Sequence, residues 1–197
     1  MFSQSRASSP RPVRGGPPVP MHFTRAMFME LDRSGVFGDD RVELIEGEIF
    51  IMAPMEEPHA RPIQHITIAL AKRLPEGFTF RCQLPFAAAD DSQPQPDFTV
   101  FRADSQPEDD MPDQAVFIFE VSDSSLSFDL RRKSVVYSRA KVPEYWVLDV
   151  KKRELVVHRS PSGEKYRTVK RLTELSAVKS TAVPGLVLDL TNIFVKR

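Results

Sequence analysis

The sequence predicts an α/β protein in which a β-sheet is flanked by helices, and three observations support this fold class. Short strand-like runs alternate along the chain with two or three segments of helical spacing. The run VFIFEV, residues 116–121, is almost continuously apolar, which is typical of a strand covered on both faces. Residues 58–74 place isoleucine and leucine at helical intervals, so a helix is expected there.

Length and composition restrict the kinds of protein that the chain can be. Its 197 residues are 41% hydrophobic and 27% charged, which is ordinary for a soluble globular protein. Basic and acidic residues balance at 27 each, so binding of nucleic acid requires a local basic patch. The single cysteine, Cys82, cannot form an internal disulfide, and no apolar run resembles a membrane span or a signal peptide. We therefore expect a cytoplasmic protein without membrane contact.

The predicted elements begin after a tail. Residues 1–20 are rich in Pro, Ser and Arg, which predicts disorder, and residues 21–197 are expected to form one domain. A short helix is predicted from an N-cap at Thr24 to a stop at Gly35. RVELIEGEIFIM, residues 41–52, predicts two strands that turn at the central Glu-Gly pair.

The second half of the chain predicts most of the sheet. Its elements are strands in TFRCQLPFAA, DFTVF and VFIFEV, a helix from about Phe128 to Ala140, a hairpin of EYWVLD and ELVVHR closed by VKKR, a strand in KYRTVKRL, and a closing segment PGLVLDLTNIF.

Glu120 lies inside the apolar run, and a buried carboxylate must be paired, protonated or bound to a cation. Asp97 stands at the entry of the preceding strand. If the two strands pair, their carboxylates meet at one end of the sheet. Two such charges about 4 Å apart repel by roughly 4 kcal/mol at an effective dielectric near 20. Mg²⁺, a hard ion that takes oxygen ligands, would turn this repulsion into a binding site.

Lys133 is the second expected partner of Glu120. It falls on the apolar stripe of the predicted helix, so its stem is expected to lie along apolar surface toward the sheet. Asp129, four residues earlier, can pair with the same ammonium. The stripe consists of Leu130, Lys133, Val136, Tyr137 and Ala140.

The motifs PD, EVS, D…K…Y and VPEYWVLD occur in an order that is similar to a known family. With RVELIEGEIFIMAP and PHARPIQHI, they resemble the Uma family of restriction-endonuclease-like proteins in the PD-(D/E)xK nuclease superfamily. The resemblance covers roughly residues 21–195. It implies a restriction-endonuclease-like mixed central β-sheet flanked by helices, with additional N-terminal β-strands. It also implies a DNA endonuclease that uses Mg²⁺, or alternatively Mn²⁺.

The resemblance also assigns residues. It makes Asp97 and Glu120 the metal ligands and makes both catalytic together with Lys133. Ser122 stands where the superfamily has its lysine, and the family's lysine has migrated to the following helix. Accessory positions implied by the resemblance or the spacing are Glu46, His59, Asp129 and Tyr137, with Glu43 and Glu48 as alternatives to Glu46. Phosphate contacts are expected from Arg131 and Arg132.

The expected function is a Mg²⁺-dependent endonuclease that hydrolyses phosphodiester bonds in DNA, and a homodimer would supply one site for each strand. The alternative is a non-catalytic nuclease-fold module that binds nucleic acid or a partner protein, which the zero net charge favours. A glycosidase is disfavoured by an aromatic content of 9%. The six-residue spacing of His59 and His65 does not match a helical zinc pair.

Overall fold

The computed structural model describes residues 16–54, 57–105 and 111–194, so residues 1–15 of the predicted tail lie outside it. Residues 16–20 contain no helix or strand. The N-terminal elements are α1 (Arg25–Arg33), β1 (Val42–Ile45), β2 (Glu48–Ile51) and α2 (Glu57–Arg73). Thr24 caps α1 as predicted, because its Oγ1 accepts a hydrogen bond from the N–H of Met27.

The predicted Glu-Gly turn joins β1 and β2 in an antiparallel hairpin. Glu46 and Gly47 have φ of 52° and 77°, values that hairpin turns of two residues require and that favour glycine. The turn is also crowded, because a Cβ on Gly47 would lie 2.7 Å from Nδ1 of His22. An antiparallel bridge between Leu44 and Gln93 ties the hairpin to the segment that leads into the central sheet.

Six further strands form the central sheet. They are β3 (Phe78–Cys82), β4 (Phe98–Arg102), β5 (Phe117–Ser122), β6 (Glu144–Asp149), β7 (Glu154–Ser162) and β8 (Lys165–Leu172), and they lie side by side in that order. Only β5 and β6 pair in parallel, so the sheet is mixed, as expected. The strand predicted in TFRCQLPFAA is shorter than expected: it ends at Cys82, and Gln83 turns the chain with φ of 52°.

A helical segment crosses over the sheet between the two parallel strands. It consists of α3 (Leu126–Phe128), a π-helical turn (Asp129–Lys133) and α4 (Ser134–Arg139), so it starts two residues before the predicted helix. The chain ends in two short strands, β9 (Val178–Lys179) and β10 (Val187–Leu188), followed by a 3₁₀ turn at Thr191–Ile193.

Apolar clusters cover both faces of β5, which explains why its sequence does not alternate. Phe117 and Phe119 pack on the α2 side, where they contact Trp146. Ile118 packs on the other side with Tyr137 of α4. Within the described residues, no helix combines the length and the apolar character that crossing a membrane requires.

Candidate active site

Two buried carboxylates lie side by side where β4 begins next to the end of β5. The two strands are antiparallel with Phe98 opposite Phe119, which brings Asp97 beside Glu120. The N–H of Asp97 donates to Oε2 of Glu120 at 3.1 Å, and the N–H of Val121 donates to Oδ2 of Asp97 at 2.8 Å. Asp97 and Glu120 are 2% and 3% exposed. The strand pairing therefore produces the juxtaposition of acids that the sequence predicts.

Lys133 reaches this pair from the helical segment above the sheet. Its Nζ lies 3.0 Å from Oε1 of Glu120, 3.1 Å from Oε2 of Glu43 and 3.8 Å from Oδ1 of Asp129. The lysine is 2% exposed and ends the π-helical turn, a kind of irregularity that is frequent at functional sites. Lys133 is thus a counter-ion shared by three carboxylates.

Glu43 is the hairpin glutamate that faces the cluster. It is fully buried in β1, and its Oε1 lies 3.4 Å from the guanidinium of Arg41. The sequence did not separate it from Glu46 and Glu48. The sequence nevertheless contains a pattern that distinguishes Glu43 from the other two glutamates. Glu43 interrupts an apolar strand, just as Glu120 does.

Glu46 lies outside the cluster, although the sequence named it as an accessory residue. Its carboxylate pairs with Arg139 at 2.8 Å and with Arg132 at 3.0 Å. Arg132 also pairs with Glu48 at 3.1 Å, so this arginine fastens the helical segment to the hairpin. Arg131 is exposed and has no ion-pair partner among the described residues.

Asp129 and Tyr137, the other accessory residues on the helical segment, both contact the site. The O–H of Tyr137 donates to Oε1 of Glu120 at 2.9 Å. Oδ2 of Asp129 accepts hydrogen bonds from the hydroxyls of Ser122 and Ser125. Ser122 stands where the superfamily has its lysine. Its hydroxyl holds Asp129, and Asp129 in turn faces Lys133, the lysine of the following helix.

His59 and Gln83 hold the outer oxygen of Asp97. Nε2 of His59 lies 3.4 Å from Oδ1 of Asp97, and Nε2 of Gln83 donates to the same oxygen at 3.2 Å. The N–H of Gln83 also donates to the backbone carbonyl of Asp97 at 3.0 Å. Sequence reasoning missed Gln83, because a polar residue at the end of a strand gives no signal of its left-handed backbone.

The pKa values of the two acids move in opposite directions. Burial is the largest effect on Glu120 and raises its pKa to about 8, while Lys133 opposes the rise. Burial also acts to raise the pKa of Asp97, but the hydrogen bond and charge of His59 and the N–H of Val121 outweigh it and lower the pKa. The surroundings therefore favour the ionised form of Asp97 and make ionisation of Glu120 costlier than usual.

Three buried carboxyl groups contact the ammonium of Lys133 and a fourth lies beside Glu120, and this excess of negative charge calls for protons or a further cation. The acids are Glu43, Asp97, Glu120 and Asp129. Their oxygens suit Mg²⁺, which proteins commonly hold through one or two carboxylates and several waters. Residues 16–54, 57–105 and 111–194 contain no group of three His, Cys, Asp or Glu side chains that could hold a metal. Asp97 and Glu120, side by side on adjacent strands, match in chemistry the pair of carboxylates that Mg²⁺ takes together with waters.

The six-stranded mixed central sheet flanked by helices places the protein in the restriction-endonuclease-like fold class. The model of the Uma2 family, described as "Putative restriction endonuclease", matches residues 26–191. The chain belongs to this family, which confirms the resemblance seen in the sequence.

A solved structure supports the fold. The chain is similar to a protein from Anabaena variabilis ATCC 29413 that is described as "a putative nuclease belonging to DUF820". The match has a TM-score of 0.66 and covers 87% of this chain and 97% of that one, at 18% sequence identity. At this identity the likeness shows the fold alone. No curated protein matches the chain.

Proposed function

We propose that the protein is a Mg²⁺-dependent endonuclease that hydrolyses phosphodiester bonds in DNA. The observation that carries this proposal is the contact of three groups. Asp97 and Glu120 lie on neighbouring strands, and the ammonium of Lys133 lies 3.0 Å from Glu120. Membership of a family of restriction-endonuclease-like proteins supports the same reaction class.

Each residue has a role in the proposed reaction. Asp97 and Glu120 would hold Mg²⁺, which supplies Lewis-acid activation of water and of the phosphate. Lys133 would orient the attacking water or neutralise negative charge that develops on the phosphate. Gln83 and Tyr137 would keep the two carboxylates in position through their hydrogen bonds.

Plasmid cleavage in the presence of Mg²⁺ tests this proposal. Each of the variants Asp97→Asn, Glu120→Gln and Lys133→Met is expected to lose about a hundredfold or more in rate. Glu48→Gln is the matched control, because Glu48 is an exposed acid of the neighbouring hairpin whose ion pair among the described residues is with Arg132. Circular dichroism checks that each variant is folded. Undiminished cleavage by all three site variants would contradict the proposal.

A non-catalytic module that binds nucleic acid or a partner protein is the second candidate. The observation in its favour is that Lys133 already pairs with three carboxylates and acts as a built-in cation. Calorimetric titration with Mg²⁺ or Mn²⁺ separates the two functions. The nuclease binds the ion, and Glu120→Gln weakens the binding. A folded wild-type protein that binds neither ion would favour the non-catalytic module.

The proposed reaction also bears on assembly and location. Cutting both strands of a duplex needs two sites, so we propose a homodimer, which light scattering of the purified protein can test.

A cytoplasmic location fits a protein that acts on DNA and has one cysteine, Cys82, which is free. The single domain expected for residues 21–197 stays a prediction.

A further inference from the structure

Positive charge is concentrated in one part of the chain despite its overall balance. Residues 151–172 contain eight lysines and arginines against two glutamates, whereas the whole chain has 27 of each sign. This stretch includes the β6–β7 turn, β7 and β8. The local excess is the kind of basic patch that binding of a polyanion requires in a protein without net charge.

Part of this basic stretch lies at the same end of the sheet as the candidate site. We call this the site end: β4 begins here at Phe98, and β5, β6 and β8 finish here at Ser122, Asp149 and Leu172. Because β8 runs parallel to β5 and β6, its last residues and the β6–β7 turn both lie at the site end. The basic residues found there are Lys151, Lys152, Arg153, Lys170 and Arg171.

Arg171 is aligned with Glu120 across the sheet. Glu120 is opposite Val147, Val147 is opposite Val156, and Val156 is opposite Arg171. Residues paired in this way point to the same face of the sheet. With strands about 4.8 Å apart, three steps separate the two side chains by roughly 14 Å. That separation is comparable to the roughly 12 Å width of the DNA major groove.

Three basic side chains at the site end, those of Lys151, Lys152 and Arg171, are exposed to solvent. Lys152 and Arg171 are exposed, and Lys152 has no ion-pair partner among the described residues. Arg171 touches Glu154 at 3.5 Å, and Lys151 lies 3.1 Å from Asp123 in the loop that follows β5. Exposed pairs of this kind contribute little, so a phosphate can replace them.

We propose that Lys151, Lys152 and Arg171 at the site end bind the phosphate backbone of the DNA duplex whose scissile phosphate lies at Glu120. This inference rests on the proposed function for its partner. The backbone of a duplex carries one negative charge per about 1.7 Å of its axis. A duplex placed across the site end therefore meets the basic turn and the end of β8 with further phosphates. Such contacts position the duplex without reading its sequence.

A structural role explains the other basic residues of β8. Lysine and arginine on an edge strand prevent pairing with another sheet, and β8 is an edge strand. Lys165 and Arg167 lie toward the opposite end of β8, away from the candidate site. They provide a control of one lysine and one arginine that are exposed on β8 but far from the candidate site.

The test compares Lys152→Ala/Arg171→Ala with Lys165→Ala/Arg167→Ala. Binding of a short labelled DNA duplex is measured by fluorescence anisotropy over a range of salt concentrations, with a chelator present so that no cleavage occurs. The site-end variant is expected to bind roughly tenfold more weakly. The binding constant falls as salt is added, and a plot of its logarithm against the logarithm of the salt concentration should become less steep. Its slope should lose about 2 in magnitude, which is about 1 for each lost phosphate contact. The control variant should bind like the wild-type protein.

Equal losses in the two variants, or no loss in either, would overturn the proposal, and so would a wild-type protein that does not bind the duplex. A parallel titration with an RNA duplex separates the two sources of phosphate backbone. A loss confined to the RNA duplex would overturn the assignment to DNA. Because the assay contains no metal, it is independent of catalysis: a protein that binds as expected but never cleaves would contradict only the proposed nuclease activity.

Discussion

A buried carboxylate does not by itself mark a site, as a comparison of Glu144 with Glu120 shows. Glu144 is also fully buried, and burial acts to raise its pKa. Donors that include the N–H of Ala182 and the hydroxyl of Ser180 outweigh burial and lower the pKa of Glu144. Burial raises the pKa of Glu120 as well, but its fewer donors do not outweigh burial, and the neighbouring acids raise the pKa further. Unbalanced charge, not burial, distinguishes the candidate site.

Gln83→Gly tests the support of Asp97 at the level of one side chain. Glycine accepts the positive φ of this position, so the variant removes the amide without straining the backbone. If Asp97 is a metal ligand as we propose, loss of its hydrogen bond from Gln83 should weaken Mg²⁺ binding by about 10-fold or more. Calorimetry measures the affinity, with exposed Gln64→Gly as the control. Unchanged Mg²⁺ affinity would show that Gln83 does not position Asp97.

Glu120→Gln tests the raised pKa of this carboxyl. The folded protein keeps the proton up to a pKa of about 8, whereas the unfolded chain releases it near the ordinary value of 4.5. Stability present below pH 4.5 is therefore lost as the pH rises to about 8. The free energy of unfolding of the wild-type protein, measured with urea and a chelator, should fall by a few kcal/mol relative to Glu120→Gln across this range. A constant difference between the two proteins would contradict the raised pKa.

At the scale of elements, local sequence patterns predicted the central strands and the long helix α2. They did not predict the irregular backbone, such as the π-helical turn. The apolar run of β5 and the helical spacing of α2 gave their positions within one or two residues. The π-helical turn that ends at Lys133 has no recognisable pattern in the local sequence. The side chain of Lys133 still points toward the sheet, as the apolar stripe of the helix predicts. This is because the helix is regular after Lys133, so the lysine shares a face with the buried Val136 and Tyr137. The strand predicted over residues 79–88 ends early, at Cys82, because Gln83 adopts a left-handed backbone conformation.

Gly47→Ala tests how much the close contact between the β1–β2 turn and His22 contributes to stability. Gly47 has φ of 77° and lies against His22, whereas Gly35 has φ of 75° and open space around it. Alanine at a positive φ costs roughly 1–2 kcal/mol, so Gly35→Ala measures the backbone cost alone. Gly47→Ala should destabilise the protein further, because its Cβ would displace His22. Equal unfolding free energies for the two variants would show that the contact with His22 does not matter.

At the scale of the whole molecule, folding assembles a charged cluster from residues far apart in the sequence. The pairing of β4 with β5 and the helical crossover bring Asp97, Glu120 and Lys133 together, and their types and order made these three predictable. Glu43 was not predictable to the same degree. The choice among three hairpin glutamates depends on how the hairpin docks on Gln93, which is a tertiary contact. The basic site end likewise requires the strand order, which composition does not reveal.

The central claim is that Asp97 and Glu120 form the metal site of a nuclease with Lys133 beside it. A crystal structure of the protein soaked in Mn²⁺ tests this claim most directly, since anomalous scattering locates the ion. We expect an anomalous peak in contact with the carboxylates of both Asp97 and Glu120. A well-ordered site without such a peak, or Mn²⁺ bound only by other residues, would contradict the claim.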